Sequence, residues 1–159
     1  MKMKKRLEFK KVGYCRVNKA LVNFEAILKA KNVPLAKKEI KNGQILYNGK
    51  FKLNDSQSLP FGIVFDNKEE GIIDFQIVYH KLAYVTNFDA KHQVLDVLNE
   101  LNEMKTGYYR VCLAGDGEIY MRLLSRTTED VRAAYEMMIV GSTIAKSILP
   151  KIEEAVAKK

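Results

Sequence analysis

One stretch of the sequence decides the fold, and it reads DAKHQVLDVLNELNEMKTG from Asp89 to Gly107. Apolar side chains recur in it at helical spacing, which predicts an amphipathic helix with one buried face. Asp89 is the expected N-cap, because its short carboxylate can accept hydrogen bonds from the amides of the first turn. Gly107 is expected at C′, because glycine adopts the left-handed conformation there without steric cost. The predicted apolar face consists of Val94, Val97, Leu98, Leu101 and Met104.

Two asparagines accompany this helix, and their positions predict different environments. Asn102 falls within the apolar arc, next to Leu98, whereas Asn99 lies at the edge of the arc. A buried amide must find hydrogen-bond partners, or it destabilises the fold. We therefore expect Asn102 to bond the backbone of the strand that follows the helix.

A β-hairpin is predicted directly after the helix, with strands at Tyr108–Ala114 and Glu118–Leu124. A three-residue loop between them, Gly115-Asp116-Gly117, would pair Leu113 with Ile119 and so align the two apolar faces. A two-residue loop would shift the register by one residue and break that match. The sequence therefore favours the three-residue loop.

The outward face of this hairpin holds the candidate binding residues. In the three-residue register Arg110 faces Arg122, beside Tyr108 and Tyr120. Like charges directly opposite each other destabilise a strand pair unless something neutralises them. Two explanations stay open. Asp74 of the same face, or solvent, neutralises the arginines, or an acidic group on a partner protein binds them.

The residues before the central helix predict a first helix followed by short strands. Asn18 is the expected cap of a helix over residues 19–32. Residues 36–54 contain two turn signals, Asn42-Gly43 and Asn48-Gly49, which indicate tight turns between strands.

Two further strands are expected at residues 60–66 and 72–82, both with alternating apolar side chains. After the hairpin, Thr127 or Thr128 is expected to cap a long helix. Pro150 is expected to open a final short helix over residues 151–158. The resulting order, α-β-β-β-α-β-β-α, predicts an α+β fold whose antiparallel sheet is covered by helices on one face.

The charge distribution indicates a basic arm, residues 1–18, before a single domain, residues 19–159. Residues 1–19 hold eight basic side chains and one acid, hence +7 of the total charge of +8. Basic arms bind nucleic acid by releasing counterions, whereas a solvated tail is the simpler interpretation. With no apolar run of membrane-spanning length and no secretion signal, the expected location is cytoplasmic.

The reactive side chains do not form a recognisable catalytic or metal-binding pattern. Cys15 and Cys112 are far apart and lack the spacing of metal ligands, as do His80 and His92. A nucleophilic pair of Cys112 and His80 would require adjacent strands. We therefore expect no catalytic residues, no cofactor and no metal, and hence no enzyme.

The element order, together with the segment Leu98-Asn99-Glu100-Leu101-Asn102 and the hairpin of residues 108–124, resembles the YbjN family. That family has a fold like the type III secretion chaperones, and the similarity covers residues 19–157 without the arm. The resemblance implies that Asn99 and Asn102 form a structural motif. It further implies a homodimer and a protein-binding role, either chaperone-like or as a regulatory adaptor. The alternative function is association with nucleic acid through the basic arm.

Overall fold

The computed structural model describes residues 18–68 and 71–158, which form three helices and one six-stranded antiparallel sheet. The helices are α1 (Lys19–Ala30), α2 (Lys91–Met104) and α3 (Arg132–Ala157). The strands are β1 (Ala36–Glu39), β2 (Ile45–Lys52), β3 (Ser58–Phe65), β4 (Ile73–Tyr84), β5 (Arg110–Leu113) and β6 (Glu118–Thr127). Their order across the sheet is β1-β2-β3-β4-β6-β5. The α+β class is as predicted, but four strands rather than three precede α2.

The helices pack against one face of this sheet and leave the other face open. On β4 the predicted alternation is confirmed, since Ile73, Ile77 and Tyr79 are buried while Gln76 and Val78 are only partly buried. The core between the sheet and the helices is rich in aromatic rings. For example, the ring centres of Phe24 and Phe65 are 5.0 Å apart. None of the helices within the described residues combines the length and apolar character that crossing a membrane would require. Residues 1–17 of the predicted arm lie outside the described part of the chain.

The helix α3 lies directly on the sheet at Gly141. A methyl group added at Gly141 would lie 2.5 Å from the Tyr109 hydroxyl oxygen and closer still to the Tyr79 ring. The Tyr109 hydroxyl donates to the Met137 carbonyl oxygen at 2.6 Å, and the Tyr79 hydroxyl donates to the Met138 carbonyl oxygen. Burial raises the pKa of both phenols, so both remain protonated donors. Two tyrosines, Tyr79 on β4 and Tyr109 just before β5, therefore hold the helix by its backbone, and only glycine permits this approach.

The ends of α2 differ from the prediction. Its N-cap is Ala90, and Asp89 lies in a short 3₁₀ turn, where its amide donates to the Asn87 side chain at 3.0 Å. Asn87 therefore takes the capping role before the helix begins. Gly107 is left-handed, with φ of 55°, but it lies two residues beyond the C-cap Lys105 and so is not at C′. Of the predicted apolar face, Val94, Leu98 and Leu101 are buried, Val97 is partly buried and Met104 is 73% exposed.

The two Asn-Gly signals have different outcomes. Asn42 and Gly43 both have positive φ and turn the chain between β1 and β2, as predicted. Asn48 and Gly49 instead lie inside β2, paired with β3, so the second predicted turn is wrong. A methyl group at Gly49 would lie 2.8 Å from the Leu35 side chain. Gly49 therefore makes room for a neighbouring side chain rather than for a turn.

The start of α3 was also predicted wrongly. Strand β6 continues to Thr127, and the helix begins at Arg132 without a side-chain cap. The hydroxyl of Thr127 donates to the Asp130 carbonyl oxygen at 3.1 Å, while the Asp130 carboxylate accepts the Arg132 amide at 3.2 Å. Both threonines, Thr127 and Thr128, thus stabilise the connection before the helix and not its first turn.

Pro150 lies inside α3, so the predicted separate helix over residues 151–158 does not exist. Proline in a helix interior removes one hydrogen bond and costs about 3 kcal/mol. The carbonyl that loses its partner belongs to Lys146, and both Lys146 and Pro150 are exposed to water. Continuing the helix buries Ile152 and Ala155 against the core. That burial explains why the helix passes through the proline.

A buried phenol and two charged side chains join α1 to the first hairpin. Tyr47 donates a 2.6 Å hydrogen bond to Glu25 Oε1, and Lys37 Nζ lies 2.5 Å from the same oxygen. The hydrogen bonds from Lys37 and from Tyr47 hold the pKa of Glu25 below its usual value. The charged form of Glu25 therefore stabilises the fold.

Replacing Glu25 with glutamine is expected to weaken the pH dependence of stability on the acid side. Because the pKa of Glu25 is lower in the folded state, its stabilisation is present above the unfolded pKa and is lost as the pH falls through the folded pKa. Urea unfolding at about pH 6 and about pH 3 measures this. The unchanged protein should lose more free energy of unfolding than Glu25→Gln. The control is Glu103→Gln, which changes an exposed acid on α2, and equal losses in all three proteins would contradict the prediction.

Candidate interaction surface

The hairpin of β5 and β6 has the predicted register. Leu113 pairs with Ile119, Arg110 with Arg122, and the loop between the strands has three residues. In that loop Gly117 has a φ of 92°, and a methyl group there would collide with the carbonyl oxygen of Val85. The hairpin loop thus rests on the residues that follow β4, and glycine is required at this contact.

The open face is defined here as the outward side chains of β1 to β6, on the side of the sheet opposite the helices. Arg122 lies on β6, next to the edge strand, between Val78 on β4 and Arg110 on β5. Asp74, the predicted intrachain neutraliser, faces Arg126 and forms an ion pair with it at 2.7 Å. Within the described residues, Arg122 has no carboxylate within 4 Å. Asp74 therefore does not neutralise it.

Arg110 is oriented by backbone oxygens at the edge of the sheet. Its Nη1 donates to the Tyr109 carbonyl at 2.7 Å and to the Gly107 carbonyl at 3.2 Å. These bonds use part of the hydrogen-bonding capacity of the guanidinium, but they do not neutralise its charge. The facing arginines thus retain two positive charges on neighbouring strands.

The structure brings together three of the four predicted partner-binding residues. Arg110, Tyr120 and Arg122 lie on the open face. Tyr108 is 72% exposed but precedes β5, in a turn closed by the Tyr109 amide and the Thr106 carbonyl. The left-handed Gly107 creates this turn, which is why the predicted strand starts two residues too early.

A shallow groove of about 290 Å³ lies on the open face beside the hairpin loop. Its lining includes Val78, His80, Tyr120 and Arg122. His80 Nδ1 lies 3.3 Å from Glu118 Oε1, a contact that the sequence did not reveal. A bulge between Tyr79 and Ala83 shifts the register of β4 there, and Lys81 within it has a φ of 57°. Because Lys81 is not glycine, no sequence signal marked the bulge.

An aliphatic row crosses the open face next to the arginines. Leu46 on β2 faces Val64 on β3, and Gln76 on β4 faces Leu124 on β6. Leu124 is 63% exposed. The face therefore offers apolar contact and unneutralised positive charge side by side.

A second apolar cavity, of about 270 Å³, lies at the beginning of α2. Phe88 is 81% exposed at its rim, with the Lys91 ammonium 5.5 Å from the centre of the ring. Leu95 and Leu113 line the same cavity. Sequence reasoning missed this feature because Phe88 precedes the helix pattern and belongs to no periodic stripe.

The predicted structural motif divides into one partly buried and one exposed asparagine. Asn102 Nδ2 donates to the Val111 carbonyl oxygen at 3.0 Å, and Asn102 Oδ1 accepts the Val111 amide at 2.8 Å. This confirms the predicted bond to the following strand. Asn99 is exposed, and its side chain has no such hydrogen bond within the described residues. Of the two asparagines, Asn102 is the one that is hydrogen-bonded to β5 in the described part of the chain.

The reactive side chains are dispersed in the structure. Strand β6 lies between β4, which carries His80, and β5, which carries Cys112. Across residues 18–68 and 71–158, no three side chains of His, Cys, Asp or Glu are grouped so that they could hold a metal ion. Cys15 lies outside these residues.

The chain was also compared with known proteins. It matches no protein-family model and no curated protein sequence. The resemblance to the YbjN family therefore stays a prediction from the sequence.

Proposed function

We propose that this chain is a cytoplasmic, non-enzymatic protein-binding domain, chaperone-like or a regulatory adaptor of the YbjN type, which binds partners through the open face. One observation carries the proposal: Leu124, Tyr120 and Arg122 lie together on a sheet face that no described helix covers. Such a mixture is unusually apolar for a solvated surface and too polar for a core. Tyrosine and arginine are also enriched where proteins bind each other.

The double substitution of Tyr120→Asp and Arg122→Glu is expected to abolish partner binding and to leave the fold intact, since both side chains lie on the open face. Partners are identified by co-purification with the unchanged protein, and each is then tested against the variant by pull-down. A control is Lys146→Glu, which changes an exposed charge on the helix side. Equal binding by all three proteins would exclude the open face as the interface. Unfolding of the double variant would show instead that the face belongs to the intrachain core.

The resemblance further leads us to propose a homodimer. Sedimentation velocity of the unchanged protein measures this directly. A monomer at the highest soluble concentration would contradict the homodimer but would leave the protein-binding proposal standing.

Association with nucleic acid is the second candidate, because residues 1–19 carry +7 of the total charge of +8. Binding by such an arm weakens steeply with salt, by about 10³-fold or more between about 50 and 200 mM when six or more phosphates are contacted. Oligonucleotide titrations at these two salt concentrations distinguish the arm from the open face. Salt-insensitive binding would exclude the arm as the cause.

Removing residues 1–11 is expected to change the melting temperature little. Few apolar residues in that segment can join the core, and terminal segments without buried contacts contribute little stability. Thermal unfolding followed by circular dichroism checks this. A large decrease in melting temperature would show that the segment is a packed element of the domain.

A further inference from the structure

We propose that the partner of the open face is a short, extended, acidic peptide segment of another protein. This inference rests on the function proposed above and specifies the chemistry of the partner. The segment would place carboxylates against Arg110 and Arg122 and small apolar side chains against the row that contains Leu124.

The open face carries a net positive charge. The alternation of the strands places six basic side chains there, namely Lys38, Lys50, Lys52, Arg110, Arg122 and Arg126. It places two acids there, Asp74 and Glu118. An acid of the hairpin loop, Asp116, lies at the rim, where its carboxylate accepts the Glu118 amide at 3.0 Å.

The two acids on the strands, unlike Asp116 at the rim, already have side-chain partners. Asp74 pairs with Arg126 at 2.7 Å, and Glu118 Oε1 lies 3.3 Å from His80. Lys52 pairs with Asp55 at 3.1 Å. Four cations, Lys38, Lys50, Arg110 and Arg122, have no carboxylate within 4 Å among the described residues. The face therefore has positive charge available for a ligand.

A positively charged occupant would not match the positive charge of the open face. A second copy bound face to face would bring Arg110 and Arg122 against an identical set of cations, and apposed like charges disfavour association. The chain's own residues 1–17 hold seven basic side chains and one acid, so they are a poor electrostatic match as well. Charge complementarity therefore favours an acidic segment from another protein.

The width and the side-chain composition of the open face fit a short extended segment. Six strands at about 4.8 Å spacing make a face about 24 Å wide, which an extended peptide of about seven residues would cross. The aliphatic side chains on this face that are at least partly exposed include Leu46, Val78 and Leu124. Single-stranded nucleic acid favours exposed aromatic platforms, so this composition suits a peptide better.

The test is a selection from a library of random heptapeptides displayed on phage, with the purified full-length chain as the target. We expect the selected peptides to be enriched in Asp and Glu over Lys and Arg. A representative synthetic peptide should bind Arg110→Glu/Arg122→Glu at least about tenfold more weakly, because two charge-assisted contacts become repulsive. The milder Arg122→Gln should weaken binding in the same direction, which keeps the test valid if the double variant does not fold.

The matched control is Lys105→Glu/Lys146→Glu, which makes the same charge change at two exposed positions, the C-cap of α2 and the helix α3. It should bind the peptide with unchanged affinity at the same salt concentration. An equal loss in the control would mean that net charge alone attracts the peptide, and this would overturn the inference.

The other outcomes separate this inference from the proposed function. Selection of neutral or basic peptides whose binding still depends on Arg122 would refute the acidic partner but keep the open face as a protein-binding surface. Acidic peptides that bind every variant equally would refute both. Failure to select any peptide, or Arg122-dependent binding of a twelve-residue oligothymidylate instead, would also refute the acidic peptide.

Discussion

Replacing Gly141 with alanine is expected to destabilise the protein, although the same exchange in an ordinary helix interior stabilises by about 1 kcal/mol. The added methyl group would lie 2.5 Å from the Tyr109 hydroxyl oxygen and would also collide with the Tyr79 ring. Overpacking of this kind costs about 1–3 kcal/mol. Displacing the tyrosines would further weaken their bonds to α3, at about 1 kcal/mol each. We therefore expect a net loss of at least about 2 kcal/mol, and a larger one for Gly141→Val.

Urea unfolding of Gly141→Ala and of three further variants tests whether the clash with the tyrosines causes the loss. Thr143→Ala, at an exposed position of the same helix, is the control and should change stability by less than about 0.5 kcal/mol. Tyr109→Phe removes the hydroxyl that the new methyl group would strike. The combination of Gly141→Ala and Tyr109→Phe should therefore be less destabilised than the sum of the single changes. An alanine variant as stable as the unchanged protein would show that α3 can move away from the sheet without cost.

Replacing Asn102 with leucine is expected to cost about 1–3 kcal/mol, because both backbone groups of Val111 lose their partner. The amide and the carbonyl of Val111 point away from β6, towards the free edge of the sheet. The Asn102 side chain occupies the place where a further strand would bind. Its removal exposes the edge of β5, and exposed edges pair with other chains. We expect the variant to be less stable and also to associate more strongly as its concentration rises.

Asn99→Leu is the matched control, since it changes an exposed asparagine of the same helix. Urea unfolding and sedimentation velocity at increasing concentration should distinguish the two variants. Asn102→Asp adds a further test, because it keeps the acceptor for the Val111 amide but faces the Val111 carbonyl with an oxygen. An Asn102→Leu protein that matches Asn99→Leu in stability would contradict the role of the amide. An Asn102→Leu protein that is less stable but keeps the same oligomeric state would contradict only the proposal that Asn102 protects the edge of β5.

The candidate surface was predicted in part. The pairing of Arg110 with Arg122 follows from the length of the hairpin loop and the alternation of apolar residues, which are local properties of the sequence. The ion pair of Asp74 with Arg126 depends on which strand lies beside β4, and that strand is β6, distant in sequence. The contact between His80 and Glu118 depends in addition on the bulge in β4. Neither of these two contacts can therefore be predicted from the sequence alone.

The sequence by itself determined those elements whose cause lies within a few residues. The Asn18 side chain caps α1, period-two alternation marks β4, and Asn102 in an apolar arc required a backbone partner. Each of these outcomes follows from a local hydrogen-bond requirement or a local hydrophobic period.

The tertiary structure alone decided the places where long-range burial or pairing outweighs a local preference. Gly49 is extended because β3 pairs with it and the Leu35 side chain fills the space that a side chain would occupy. The helix α3 continues past Pro150 because the residues beyond it, including Ile152, are buried against the core. A turn signal or a helix breaker changes the local free energy by about 1–3 kcal/mol, and burying a few apolar side chains contributes as much or more. At these positions the packing of the whole molecule therefore determines the conformation.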